Sequence, residues 1–221
     1  MTIGAALFDL DGTLADTLPL CYVAFRRAVV GAGGPQLSDA EIHALFGPSE
    51  EGMMRRVLPE DWPGALATFL GEYERLLPTC QPIVPELASV LALLKRCGVA
   101  VGLVTGKGEA SAMLSLRHFE IADAFDAVET GSPAGVVKAE AIARLLGRWG
   151  MAPDRAIYVG DAVADMVAAR EAGVIPVGAA WAAGVRAADL SAAGAHVVFT
   201  APGDFVAWLA SRLPGHDVPR A

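Results

Sequence analysis

The stretch Ala5–Thr13, AALFDLDGT, passes from four consecutive apolar residues straight into two aspartates and a glycine. An apolar run without polar alternation reads as a strand buried on both faces, as in a parallel sheet covered by helices on each side. Ligands of such sheets bind beyond the carboxyl ends of the strands. Asp9 and Asp11 therefore stand where chemistry is expected. Their two-residue spacing predicts both carboxylates on one face of an extended backbone.

Ile3–Phe8, Val99–Val104, Ala156–Val159, Val174–Val177 and His196–Phe199 are all strand-like runs bounded by Gly, Asp or Pro. Amphipathic helical patterns fall between them at Glu86–Cys97, Ala110–Phe119, Ala139–Trp149 and Val163–Ala172, with Gly98 and Gly173 placed to end a helix. From Leu18 to Pro82 this rhythm stops. That interval holds only helical patterns (Leu20–Val30, Ala40–Phe46, Glu50–Val57, Pro63–Leu77), with Ser38 and Glu41 spaced as a capping box. The expected fold is an α/β parallel-sheet core over residues 1–17 and 83–221, carrying an inserted all-helical domain over 18–82. Residues 214–221 read as a loose tail.

Three of the predicted strands end in groups of related chemistry: Asp9-Leu10-Asp11, Thr105-Gly106-Lys107, and Gly160-Asp161 with Asp165 one helical turn on. Carboxylates gathered this closely repel one another and take up protons unless a cation intervenes. Asp9, Asp11 and Asp161 are hard oxygen donors of the kind that suits Mg²⁺. With such an ion present, one carboxylate stays ionised to attack phosphorus, and the second can protonate the leaving oxygen. Thr105, the Gly106 amide and a lysine are suited to the remaining phosphate oxygens.

The 221 residues are 54% hydrophobic and 19% charged, which excludes a disordered chain. Lys and Arg number 17 against 25 Asp and Glu, a net charge of −8, and no basic run occurs, so a nucleic-acid partner is not expected. The longest nearly apolar stretch, Ala172–Val185, is too short for a membrane span and is broken by glycines and Pro176. Three cysteines without zinc-ligand spacing and an N-terminus without a leader pattern lead to the expectation of a cytoplasmic protein.

DLDGT, a strand ending in Thr105-Gly106, the later Lys138 and GDAVAD occur in the order of the four motifs of the haloacid dehalogenase superfamily, which nearly the whole chain resembles. The helical insert behind the first strand resembles a C1-type cap, and GDAVADMVAAREAG looks like the phosphoglycolate-phosphatase-like branch. The resemblance implies a HAD-like Rossmannoid core and a Mg²⁺-dependent phosphatase of a small phosphate monoester, with phosphoglycolate a candidate. It implies Asp9 as nucleophile and Asp11 as general acid/base. Mg²⁺ would be held by Asp9, the Asp11 carbonyl and Asp161. Thr105, Gly106 and Lys138 would bind the phosphoryl group, with Asp165 supporting the metal or Lys138. That branch usually places proline after the motif lysine, whereas here Ala139 follows Lys138.

Other readings stay beside this one: a β-phosphoglucomutase-like phosphotransferase, or a catalytically silent interaction module of the same fold. Dehalogenases of the superfamily lack the second aspartate that Asp11 supplies. The Schiff-base lysine of phosphonoacetaldehyde hydrolases has no counterpart, since residues 18–82 contain no lysine. Arg55-Arg56 is read as a solvated helix face before a receptor for an anionic tail. Trp62, Phe69 and Tyr73 are read as core of the insert, and His43, His118, His196 and His216 carry no ligand or triad spacing.

Overall fold

The computed structural model describes residues 2–80 and 85–214. Its strands are β1 (Ala5–Phe8), β2 (Ala100–Val104), β3 (Ala127–Glu129), β4 (Ala156–Gly160), β5 (Ile175–Ala179) and β6 (Val197–Phe199). They form one parallel sheet in the order β3-β2-β1-β4-β5-β6. The helices are α1 (Leu18–Gly31), α2 (Asp39–His43), α3 (Glu50–Val57), α4 (Trp62–Leu76), α5 (Pro85–Arg96), α6 (Glu109–His118), α7 (Lys138–Trp149), α8 (Val163–Glu171), α9 (Ala187–Ala192) and α10 (Pro202–Ala210).

The unbroken apolar character of β1 follows from its central place, because alternate side chains meet different helix layers. Ala6 and Phe8 pack with Val101, Leu103, Ile157 and Val159 beneath α5 and α10. Ala5 and Leu7 pack with Val104 and Tyr158 beneath α7 and α8. Each Leu or Phe buried this completely contributes about 1.5–3 kcal/mol relative to exposure. β1 pairs with β2 on one side and β4 on the other, so the chain reverses its direction of travel across the sheet at β1. A parallel sheet opens a crevice at such a switch point.

Gly98 (φ +67°) and Gly173 (φ +75°) follow α5 and α8 in the left-handed region, as a helix-ending glycine should. β3 was not foreseen: it has three half-buried residues and too little pattern to distinguish it from a loop. α9 and α10 were likewise not anticipated. α2 ends at His43, short of the Phe46 expected from periodicity, and β6 starts at Val197, not His196.

Helices α1–α4 have a core of their own, including Cys21, Phe25, Ile42, Met54, Phe69 and Tyr73. Its rings are in contact, Phe25 edge-on to Phe69 at 6.4 Å and Phe69 stacked on Tyr73 at 5.8 Å between centroids. The capping box at Ser38 and Glu41 forms in full. This block rests on α6, where Leu114 and Phe119 pack against it and Tyr73 Oη lies 2.7 Å from Ser115 Oγ. The expected boundary between Pro82 and Ile83, and residues 215–221 of the expected tail, lie outside the described residues.

Candidate active site

Phe8 is level with Leu103 of β2 and Val159 of β4. Asp9 therefore emerges one residue beyond the paired strand, its amide donating to the Val159 carbonyl at 2.9 Å. Thr105 and Asp161 leave the adjacent strands at the same edge. All three line one cavity of about 650 Å³, together with Asp11, Gly106 and Lys138.

Asp9 is 6% exposed. Its Oδ2 lies 3.0 Å from Lys138 Nζ, while its Oδ1 is buried without a hydrogen-bond partner among the described residues. Lys138 opens α7 with Ala139 behind it, and the absent proline does not keep its ammonium from the strand ends. A cation at the positive end of a helix is unfavourable in itself. Here Asp165 Oδ1 offsets that, at 2.6 Å from Nζ. Asp165 is fully buried, and its Oδ2 accepts from the Ala162 amide at 3.1 Å, so both its oxygens are engaged by the protein. Ala162 occupies the N-cap of α8.

Asp161 faces the loop after β1, where Thr13 Oγ1 donates to its Oδ1 at 3.2 Å. Trp181 Nε1 holds that loop by donating to the Thr13 carbonyl at 2.9 Å. Gly12 lies between, at φ +75°, and a Cβ there would come within 2.2 Å of Asp161 Oδ2. Only glycine permits both the turn and this approach. Carboxylate oxygens of Asp9, Asp161 and Asp165 lie within 4.8 Å of one another. Burial first, then the neighbouring acids, push Asp9 up to about 7 against the pull of Lys138. The same causes hold Asp161 well above the usual carboxylate range. A divalent cation fits this place: the donors are all carboxylate oxygens, one of them is bare, and their charge is only partly matched by Lys138.

Asp11 engages another lysine. Strand geometry ends at Phe8, so the face-sharing expected of an extended backbone does not reach Asp11. Thr17 Oγ1 donates to its Oδ1, and Lys107 Nζ lies 3.3 Å from the same oxygen. Asp9 and Asp11 still line the same cavity. Thr105 is buried, its Oγ1 accepting from the Lys107 amide at 3.3 Å. Gly106 sits against Gly131, where a Cβ would lie 2.0 Å from the Gly106 carbonyl oxygen. This backbone contact brings the loop after β3 against the one after β2.

Spacing in the chain did not expose the surroundings of Lys107. Its Nζ is 3.6 Å from Glu50 Oε1 of α3, 3.1 Å from Cys21 Sγ, and 4.3 Å above the Tyr73 ring. Burial alone would lower its pKa, but the groups around it, Asp11 first, outweigh burial and hold it well above the usual lysine value. Glu50 also accepts from the Gly108 amide and from Ser111 Oγ, each at 2.6 Å. The Ser49 amide donates to the Ser132 carbonyl at 2.9 Å. Arg55 pairs with Glu51 and covers Trp62 at 4.4 Å, and neither Arg55 nor Arg56 lines the cavity. His43, which carried no signal, does line it, beside Tyr22 and Phe46. A polar–aromatic spacing in α1 and α2 was the one available hint, and it resembles ordinary core patterning.

No helix among the described residues is long and apolar enough to cross a membrane. Residues 6–179 match the family described as haloacid dehalogenase-like hydrolase. A phosphoglycolate phosphatase of Synechococcus elongatus is 28% identical over 80% of this chain and 84% of its own length. A putative pyrophosphatase PpaX of Caldanaerobacter subterraneus is 30% identical over 82% of this chain and 83% of its own. A haloacid dehalogenase-like hydrolase structure from Streptococcus pneumoniae has a TM-score of 0.74 at 27% identity, covering 93% of this chain and 98% of that one. The extent of these matches agrees with the sheet order and with the acids at its carboxyl edge: the chain belongs to the haloacid dehalogenase-like hydrolases, in their phosphoglycolate-phosphatase-like branch.

Proposed function

We propose that the protein is a Mg²⁺-dependent phosphatase that hydrolyses a small phosphate monoester through an aspartyl-phosphate. The observation that carries this is Asp9: a buried carboxylate at the end of β1, with one oxygen engaged by Lys138 and the other bare, in a cavity shared with Thr105, Gly106 and Asp11. Asp9 attacks phosphorus as the bond to the leaving oxygen breaks, and Asp11 donates a proton to that oxygen. Asp11 then takes a proton from water, whose oxygen attacks the same phosphorus and returns Asp9 to its carboxylate form. Thr105 Oγ1, the Gly106 amide and Lys138 Nζ hold the phosphoryl oxygens, and Asp165 orients Lys138.

Mg²⁺, held by Asp9, Asp161 and the Asp11 carbonyl, would offset the charge of the acids and of the phosphate. Residues 18–82 act in this reading as a cap domain over a core of residues 1–17 and 83–221, closing the cavity above the phosphate. The test is phosphate release from a panel of monoesters at saturating Mg²⁺. Release by the wild-type protein, lowered at least about 10⁴-fold in Asp9→Asn, is the expected result. No release from any monoester, or an Asp9→Asn variant as active as the wild type, would overturn the reading.

A further inference from the structure

The walls of the cavity above Asp9 are apolar and aromatic. Tyr22 and Phe46 are stacked at 6.0 Å between centroids with 24° between their planes, and His43 lies 4.9 Å from Phe46. Tyr22 Oη and His43 Nδ1, 2.9 Å apart, satisfy one another. Val136 and Val163 of the core line the same cavity. Five large apolar side chains are exposed among the described residues, and three of them, Phe46 (39%), Val136 (65%) and Val163 (49%), lie here. Such a concentration of exposed apolar surface around convergent polar groups marks a binding site.

Every lysine or arginine lining this cavity already faces a carboxylate. Lys138 is held by Asp9 and Asp165, Lys107 by Asp11 and Glu50, and the exposed Arg186 faces Asp189 at 3.7 Å. A carboxylated leaving group would find no unpaired cation among the described residues that line it. A cavity of about 650 Å³ is also far larger than a two-carbon phosphorylated acid fills.

Resting on the phosphatase reading, we propose that the leaving group is an uncharged alcohol with a planar apolar body, so that the substrate is an arylalkyl phosphate monoester. The ring packs among Phe46, Tyr22, His43, Val136 and Val163. The phosphoryl group lies between Asp9 and Lys138. This choice sets the enzyme apart from one specific for phosphoglycolate.

Benzyl phosphate is the probe, because its leaving alcohol is an alkanol and any gain over ethyl phosphate reports the ring and not leaving-group acidity. At saturating Mg²⁺, kcat/KM for benzyl phosphate is expected to exceed that for ethyl phosphate and for phosphoglycolate by at least about tenfold. Phe46→Ala and Val136→Ser, at positions 39% and 65% exposed, raise the KM for benzyl phosphate by about three- to tenfold. Phosphoglycolate turned over as well as or better than benzyl phosphate, or a benzyl phosphate KM unmoved by Phe46→Ala, overturns the inference and leaves the phosphatase intact. Absence of release from all three esters would instead count against the phosphatase reading. Calorimetric titration of benzyl phosphate into the protein with and without Phe46→Ala then decides, since equal or absent binding in both overturns the inference and weakened binding in the variant supports it.

Discussion

Two lysines are buried in this molecule, each between two carboxylates, yet they are built differently. Lys138 and its partners Asp9 and Asp165 all belong to the sheet and its flanking helices, so a rigid scaffold sets their distances. Lys107 takes one partner, Asp11, from the loop after β1 and the other, Glu50, from the helical block. Its side chain is 3% exposed against 14% for Lys138. Both lysines line the cavity, but Lys107 is the more deeply buried and joins the helical block to the loop after β1. Paired charge thus serves recognition where one rigid scaffold holds every member, and attachment where two parts of the molecule share them.

Breaking the first centre carries the largest expected effect. Lys138→Met removes the cation from a fully buried Asp165 and from Asp9. Phosphate release should fall about 10²- to 10³-fold, and unfolding free energy by roughly 3–5 kcal/mol, measured by denaturant titration. A variant of wild-type stability would mean that Asp165 does not depend on this lysine.

The metal-free protein tests the acids of the same centre through pH. Asp9 rises from 3.8 to about 7 on folding, so the native state binds its proton more tightly than the unfolded chain does. The associated stability is complete below about pH 4 and is lost as pH climbs through 7. Relative to Asp9→Asn, the wild-type protein without divalent cation should lose roughly 2–4 kcal/mol between pH 4 and 8. Saturating Mg²⁺ should flatten that slope. A difference that is flat without the ion would show that Asp9 is ionised on its own.

The second centre should yield the smallest effect on chemistry. Glu50→Gln keeps the shape of the side chain and removes one of the two charges facing Lys107. A cost of about 1–2 kcal/mol in stability is expected, with less than about tenfold in kcat, and faster amide exchange in α3 should accompany it. If Glu50→Gln were as inactive as Lys138→Met, the distinction between the two lysines would collapse.

The first of these centres was far more legible in the chain than the second. Asp9, Thr105 and Asp161 each end an apolar run, and a parallel sheet must bring such ends to one edge, so a local pattern carries the result. β3 escaped because three half-buried residues generate no periodicity. The path of Asp11 escaped because the strand ends at Phe8, before either aspartate, and spacing alone does not show where a strand stops. The environment of Lys107 escaped for another reason: Glu50, Cys21 and Tyr73 lie on separate helices, and only their convergence about its ammonium unites them. Arg55, which the pattern left open to an anionic tail, is turned to Glu51 and Trp62.

The scarcity of lysine has a practical side. The chain has three, and of these only Lys95 is exposed. An amine-selective acylating reagent would mark Lys95 promptly but Lys107 slowly, its ammonium being held between Asp11 and Glu50 until α3 lifts from the loop after β2. The rate at which Lys107 is modified is therefore a native clock for parting of the two halves of the molecule, readable by mass spectrometry without an introduced label.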